Sequence, residues 1–125
     1  MKKTTLLPLA AFAALAACAT VPPVPTGSPT AAFGQTAVAG PVRVKPLALV
    51  EDSRCPQGVQ CVWAGRVRIT AAVTTSSGTS TRELTLGQPA SVAGGSLTLV
   101  EVQPARRADR TIAKSDYRFT FSFAR

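Results

Sequence analysis

The sequence predicts an all-β fold, a small antiparallel β-sandwich of about six to eight strands. Three observations predict it. Apolar and polar side chains alternate over Val67–Val73 and again over Tyr117–Phe123, the period of a half-buried strand. Shorter runs of the same kind are separated at regular spacing by turns rich in Gly and Pro. Beyond the N-terminal apolar run, no segment has a helical period.

The N-terminal part reads as delivery. Lys2 and Lys3 precede an apolar run, Leu6 to Leu15, that is too short for a permanent bilayer-spanning helix. The run ends Leu15-Ala16-Ala17-Cys18, which resembles a bacterial lipobox at every position. That resemblance implies cleavage before Cys18, diacylglycerol on its thiol, and usually a third acyl chain such as palmitate on the new amino terminus. Residues 1–17 are therefore expected to be a lipoprotein signal peptide. Two or more acyl chains anchor a protein stably, so a place in the cell envelope is expected. Ala19 stands where an aspartate would retain an enterobacterial-type lipoprotein at the inner membrane. This implies an outer-membrane anchor with the domain in the periplasm. Residues 18–33 are expected to be the lipidated cysteine and a Pro-rich tether, since Pro22, Pro23, Pro25 and Pro29 block helix and ladder formation. Residues 19–32 would span roughly 40 Å in extended form.

Residues 34–125 are expected to form the domain. About 90 residues suffice for one two-layer core, with little margin. A first strand is expected over Phe33–Val38. Val42 and Val44 alternate with Arg43 and Lys45, and Leu47 and Leu49 continue the pattern to Glu51. Pro46 interrupts it, which places this strand at an edge or at a bulge. Val62 to Val73 reads as the next strand, with Val67, Ile69, Ala71 and Val73 on one face. Thr75 to Ser80 reads as a hairpin turn, and Glu83 to Gly87 as a short strand. Ala90–Ala93 precedes a Gly94-Gly95 turn. The apolar set of the following strand changes phase at Leu99/Val100, which predicts a bulge or burial on both faces. Pro104 ends that strand and 105–115 is a polar, basic connection. Tyr117, Phe119, Phe121 and Phe123 then alternate with small or polar residues, and each aromatic buries roughly 150–250 Å². The cysteine and tryptophan spacing of immunoglobulin domains is absent, so the likeness to them is architectural only.

The chemistry concentrates in residues 51–65, EDSRCPQGVQCVWAG, which hold Cys55, Cys61 and the single tryptophan, Trp63. Asp52-Ser53-Arg54-Cys55-Pro56, four further residues, then Cys61-Val62-Trp63-Ala64-Gly65 resembles a motif, DSRCP-x4-C-[VI]-WAG, of small exported bacterial proteins, often lipoproteins. The likeness extends loosely over most of residues 34–125 and implies no activity. With Cys18 lipidated, Cys55 and Cys61 are the two remaining thiols in an oxidising compartment, and a disulfide is expected. The alternative is a metal or redox pair, in the form of a copper(I) dithiolate. Five intervening residues are not a CxxC motif, and the chain has no histidine to complete a site. Trp63 is expected in the core, packed on the disulfide. Asp52 and Arg54 are candidate partner contacts on an exposed loop, against the plainer reading of a turn cap with a local ion pair.

The charge of +8 falls to +6 without Lys2 and Lys3. Arg106, Arg107, Arg110 and Lys114 cluster in one loop and are further candidate contacts, for an anionic lipid, glycan or envelope protein. Export argues against nucleic acid. Adjacent Glu51 and Asp52 point to opposite faces of a strand, which argues against a paired-carboxylate hydrolase. Ser53 has no histidine to activate it. The expectation is a non-enzymatic envelope lipoprotein without cofactor or metal, serving as a binding or structural module. The alternatives are a hydrolase inhibitor (of a protease or lysozyme) acting through the 55–61 loop, and copper handling by Cys55 and Cys61.

Overall fold

The computed structural model describes residues 27–125. The expected signal peptide, Cys18 and most of the expected Pro-rich tether lie outside the described residues. Eight strands form two four-stranded antiparallel sheets that face each other as a sandwich. They are β1 (Thr30–Ala31), β2 (Ala37–Ala39), β3 (Val42–Asp52), β4 (Val67–Thr75), β5 (Gly78–Thr85), β6 (Ala90–Val92), β7 (Gly95–Gln103) and β8 (Arg118–Ala124). One sheet has the order β1-β8-β7-β6 and the other β2-β3-β4-β5.

The core follows from the alternation. On β4, Val67, Ile69, Ala71 and Val73 are buried while the residues between them are half-covered. On the facing sheet Leu97, Leu99, Phe119 and Phe121 point inward to meet them. Phe33, Tyr117 and Phe119 form an aromatic cluster at one end. The Phe33 ring meets Phe119 edge-on at 4.9 Å and Tyr117 edge-on at 5.8 Å. These are the preferred quadrupole geometries. The phase change at Leu99/Val100 is a register shift between Leu99 and Glu101 against β8, as its pattern predicts.

The structure corrects four expectations. Thr30 and Ala31, placed in the tether by sequence, form β1 against Thr120 and Phe119, and Ala31 joins the core. The 33–38 segment is mostly a turn, and only Ala37–Ala39 pairs, with Val42–Val44. The expected turn at 75–80 shrinks to Ser76-Ser77, because Thr75 pairs with Gly78 and the ladder runs on through Thr79 and Ser80. Its residues are polar on both faces because β5 is an edge strand exposed up to Leu84. Finally, β4 begins at Val67, not at Val62, and residues 53–66 form a loop.

On β3, Pro46 sits at a bulge, with register shifts between Pro46 and Ala48 and again between Leu49 and Glu51. The bulges turn Leu47, Leu49 and Val50 outward. β2 covers β3 only as far as Val44, and the Gly34 amide bonds the Pro46 carbonyl at 2.9 Å. Strands β3 and β7 both run towards the same end of the sandwich. That end carries the two long loops, 53–66 and 104–117.

Candidate functional site

The two loops are joined to each other. The Gln57 amide donates to the Arg106 carbonyl at 2.8 Å, and Gln57 makes an isolated bridge with Arg107. Beneath them lies a network built on Asp52, the last residue of β3. Its Oδ1 accepts from Arg54 Nε at 2.9 Å, and its Oδ2 accepts from Arg54 Nη2 at 2.9 Å and from the Tyr117 hydroxyl at 2.8 Å. The Arg54 guanidinium also donates to the Val102 and Pro104 carbonyls, at 3.0 and 3.1 Å. Arg106 donates to the Asp52 and Arg54 carbonyls. The fork of Arg54 thus ties β3 of one sheet to the end of β7 in the other, which a point-charge ammonium is poorly shaped to do.

This settles where the candidate contacts lie. Asp52 and Arg54 are not an exposed pair: their side chains are 6% and 16% exposed and their polar atoms are bonded within the molecule. The local ion pair is there, but it reaches fifty residues along the chain. Arg106 is half-buried for the same reason. Arg107 is exposed and pairs with Asp109 at 3.3 Å. Arg110 and Lys114 are exposed, with the Lys114 ammonium 5.3 Å from the Phe33 ring centroid.

The carboxyl of Asp52 is held below its ordinary value of 3.8. Burial works to raise it, but the hydrogen bonds from Arg54 and Tyr117 and the Arg54 charge outweigh that. Tyr117 is pushed from 10.0 to about 12, first by burial and then by its bond to the Asp52 carboxylate. A depressed carboxyl contributes stability that is complete above its unfolded value and is lost as pH falls through the folded one. A raised phenol contributes stability present below 10 that is lost as pH climbs towards 12. The urea midpoint of the wild type should therefore drop below about pH 4 more steeply than that of Asp52→Asn. Parallel acid limbs would remove this account.

The 53–66 loop is closed at its base and stapled at its tip. Ser53 and Arg66 exchange three bonds: Ser53 N to Arg66 O, the Ser53 hydroxyl to the same oxygen, and Arg66 N to the hydroxyl. The Cys55 amide bonds Ala64 O. Cys55 and Cys61 are joined in the expected disulfide, with Cα atoms 5.8 Å apart. By chain entropy, closing so short a loop stabilises by about 2 kcal/mol. Reduction should lower unfolding free energy by about that much in a denaturant titration; an unchanged midpoint would exclude the staple.

Trp63 departs from expectation. It is not packed on the disulfide but 81% exposed, beside Val62 at 89%, with Val59 also exposed. The reason is Gly65, whose positive φ and contact with Ser53 turn the chain before β4 can begin, leaving Val62 and Trp63 outside the sheet. The signal was the glycine two residues after the tryptophan. Ser53 is likewise spent: its hydroxyl serves the loop base, donating to the Arg66 carbonyl and accepting from the Arg66 amide.

Between the 104–117 loop and β3 lies an open groove of about 490 Å³. Phe33, Leu49, Ile112 and Tyr117 supply its apolar surface, and Arg106, Arg110 and Lys114 its charge. Sequence reasoning found the cations but not the groove, because Phe33 and Leu49 lie more than fifty positions from them along the chain. Among the described residues no three His, Cys, Asp or Glu side chains are placed to hold a metal ion. Against protein-family models, curated proteins and solved structures, the chain finds no match.

Proposed function

We propose that the protein is a non-catalytic binding module of the cell envelope, held at the outer membrane by acyl chains on Cys18, which docks a protein partner through the Val62–Trp63 tip. The observation that carries this reading is the exposure of Trp63 on a loop that is stapled, closed at its base and tied to its neighbour. A free tryptophan usually folds back onto apolar surface. Here the backbone holds it out, so little ordering cost remains to be met on binding. Tryptophan is also among the commonest anchors of protein interfaces. The resemblance of the 52–65 motif to exported bacterial proteins, and the lipobox, supply the compartment.

The direction of the chain supports the same arrangement. β1 pairs antiparallel with β8, and Ser28 O accepts from Val38 N near the far end of the sandwich. The chain thus enters from the end opposite the two loops. From Cys18 to residue 27 the backbone reaches at most about 30 Å. A protein anchored there presents the tip away from its own membrane. The non-catalytic reading rests on the absence of histidine and on the saturation of Asp52 and Ser53 by internal bonds.

A photo-crosslinking residue at position 62 of the full chain, expressed in its own envelope, should give a discrete adduct that the same residue at Thr79 does not. Trp63→Ala should abolish the adduct while changing stability by no more than about 0.5 kcal/mol. Adducts of equal yield at both positions, or persistence in Trp63→Ala, would overturn the reading. The same rigid tip favours one second reading, an inhibitor of an envelope hydrolase that seats the loop in its cleft. Inhibition of a lysozyme or protease panel by wild type but not by Trp63→Ala would select it. Copper binding by Cys55 and Cys61 requires the disulfide to be reduced first, since neither sulfur of the bond is a thiolate.

A further inference from the structure

We infer that the groove between β3 and the 104–117 loop is a second binding site, for a small ligand that carries an oxyanion on an apolar or aromatic body. It does not rest on the Trp63 reading, because Trp63 is not among the groove's lining residues. The volume, about 490 Å³, is within the range of small-molecule sites. The argument is one of charge and of what is already satisfied. Three cations line the groove and a single carboxylate, Asp52. Both oxygens of that carboxylate are already occupied, by Arg54 and Tyr117, so its charge is offset by the Arg54 guanidinium and it does not compete for the groove's cations.

The three cations differ in how they are held. Arg106 is fixed by the two carbonyls its Nη1 serves, and among the described residues its Nε and Nη2 have no partner. Such a guanidinium presents a pre-set face to a planar or tetrahedral oxyanion. Arg110 and Lys114 form no ion pair among the described residues. Three cations that line one groove give it a positive potential, which an anion would lower. The apolar half of the ligand follows from the floor. Phe33 and Tyr117 are already an edge-on pair, and Leu49 and Ile112 flank them. A purely ionic ligand would leave that surface wet, and a purely apolar one would leave the cations unpaired.

The oxyanion comes as a carboxylate or as a phosphate ester, and the test separates the two. The full chain, 15N-labelled and held in a maltoside detergent, is titrated with 3-phenylpropionate, phenyl phosphate, inorganic phosphate and the neutral 3-phenylpropanol. The expected result is saturating shifts at Phe33, Arg106, Arg110, Ile112, Lys114 and Tyr117 with one or both aromatic anions, in the millimolar range for such fragments. Whichever anion binds more tightly names the source. Inorganic phosphate and the alcohol should each bind at least about tenfold more weakly, as each keeps one half of the contacts. The double variant Arg110→Gln/Lys114→Gln, whose substitutions are on the surface and leave the fold intact, should weaken the preferred anion about tenfold or more. The proposal is overturned if neither aromatic anion shifts these signals, if the alcohol matches them, or if the double variant keeps its affinity.

Discussion

Asp52→Ala is expected to lower the unfolding free energy by about 3 kcal/mol, because it removes one member of a largely buried ion pair and strands the other. In the wild type the Arg54 guanidinium is compensated by the carboxylate and by two carbonyls. Without Asp52 the carbonyls remain but the charge does not, and the Tyr117 hydroxyl loses its acceptor. Three companion variants apportion the effect. Tyr117→Phe removes one hydrogen bond and should cost about 1 kcal/mol. Asp52→Asn keeps an acceptor for Arg54 and should fall between. Asp52→Ala/Arg54→Met should be more stable than Asp52→Ala alone, since it removes the stranded charge and restores an apolar stem. Urea titration of all four measures this. A loss below about 1 kcal/mol for Asp52→Ala would mean that water reaches Arg54 freely and that the network is a surface pair after all.

That network also shows which parts of the molecule can be read from its sequence. Strands β4 and β8 were legible because each has one buried face, and a period of two survives wherever one face meets the core. The bulge on β7 was legible because an inserted residue shifts that period in the sequence itself. The first half of β5 was not, because an edge strand solvated on both faces has no apolar period, and Thr79 and Ser80 read as turn residues; only its end at Glu83–Thr85 was legible. β1 was hidden among prolines, since two residues are too few for any pattern. For Asp52 and Arg54 the local ion pair was legible, but its burial and its reach across the fold were not. Their partners, Val102, Pro104 and Tyr117, lie 48 to 65 positions away along the chain. Local spacing carries no information about such bonds. Trp63 was misplaced for the opposite reason: an average tendency to burial was applied where a single glycine decides the local path.

Gly65→Ala is expected to cost about 3 kcal/mol, an effect out of proportion to one methyl group. A Cβ built on Gly65 would lie 1.8 Å from the Ser53 carbonyl oxygen and 2.9 Å from the Arg54 nitrogen, both backbone atoms that have no rotamer to change. Its φ of +71° is a second obstacle for any residue with a side chain. To admit the methyl the loop base must open, and the bonds between Ser53 and Arg66 open with it. The consequence then divides in a measurable way. The core strands stay paired, so far-UV dichroism and the burial of Phe119 are retained at low temperature. The tip loses its fixed direction, so Trp63 loses whatever partner the rigid loop presents it to. Gly58→Ala is the matched control. Gly58 has a similar φ of +80° but nothing within 4 Å of its Cβ position, so only the backbone term applies, about 1 kcal/mol. A Gly65→Ala protein as stable as Gly58→Ala would show that the base of the loop yields easily, and the case for a pre-set tryptophan would fall with it.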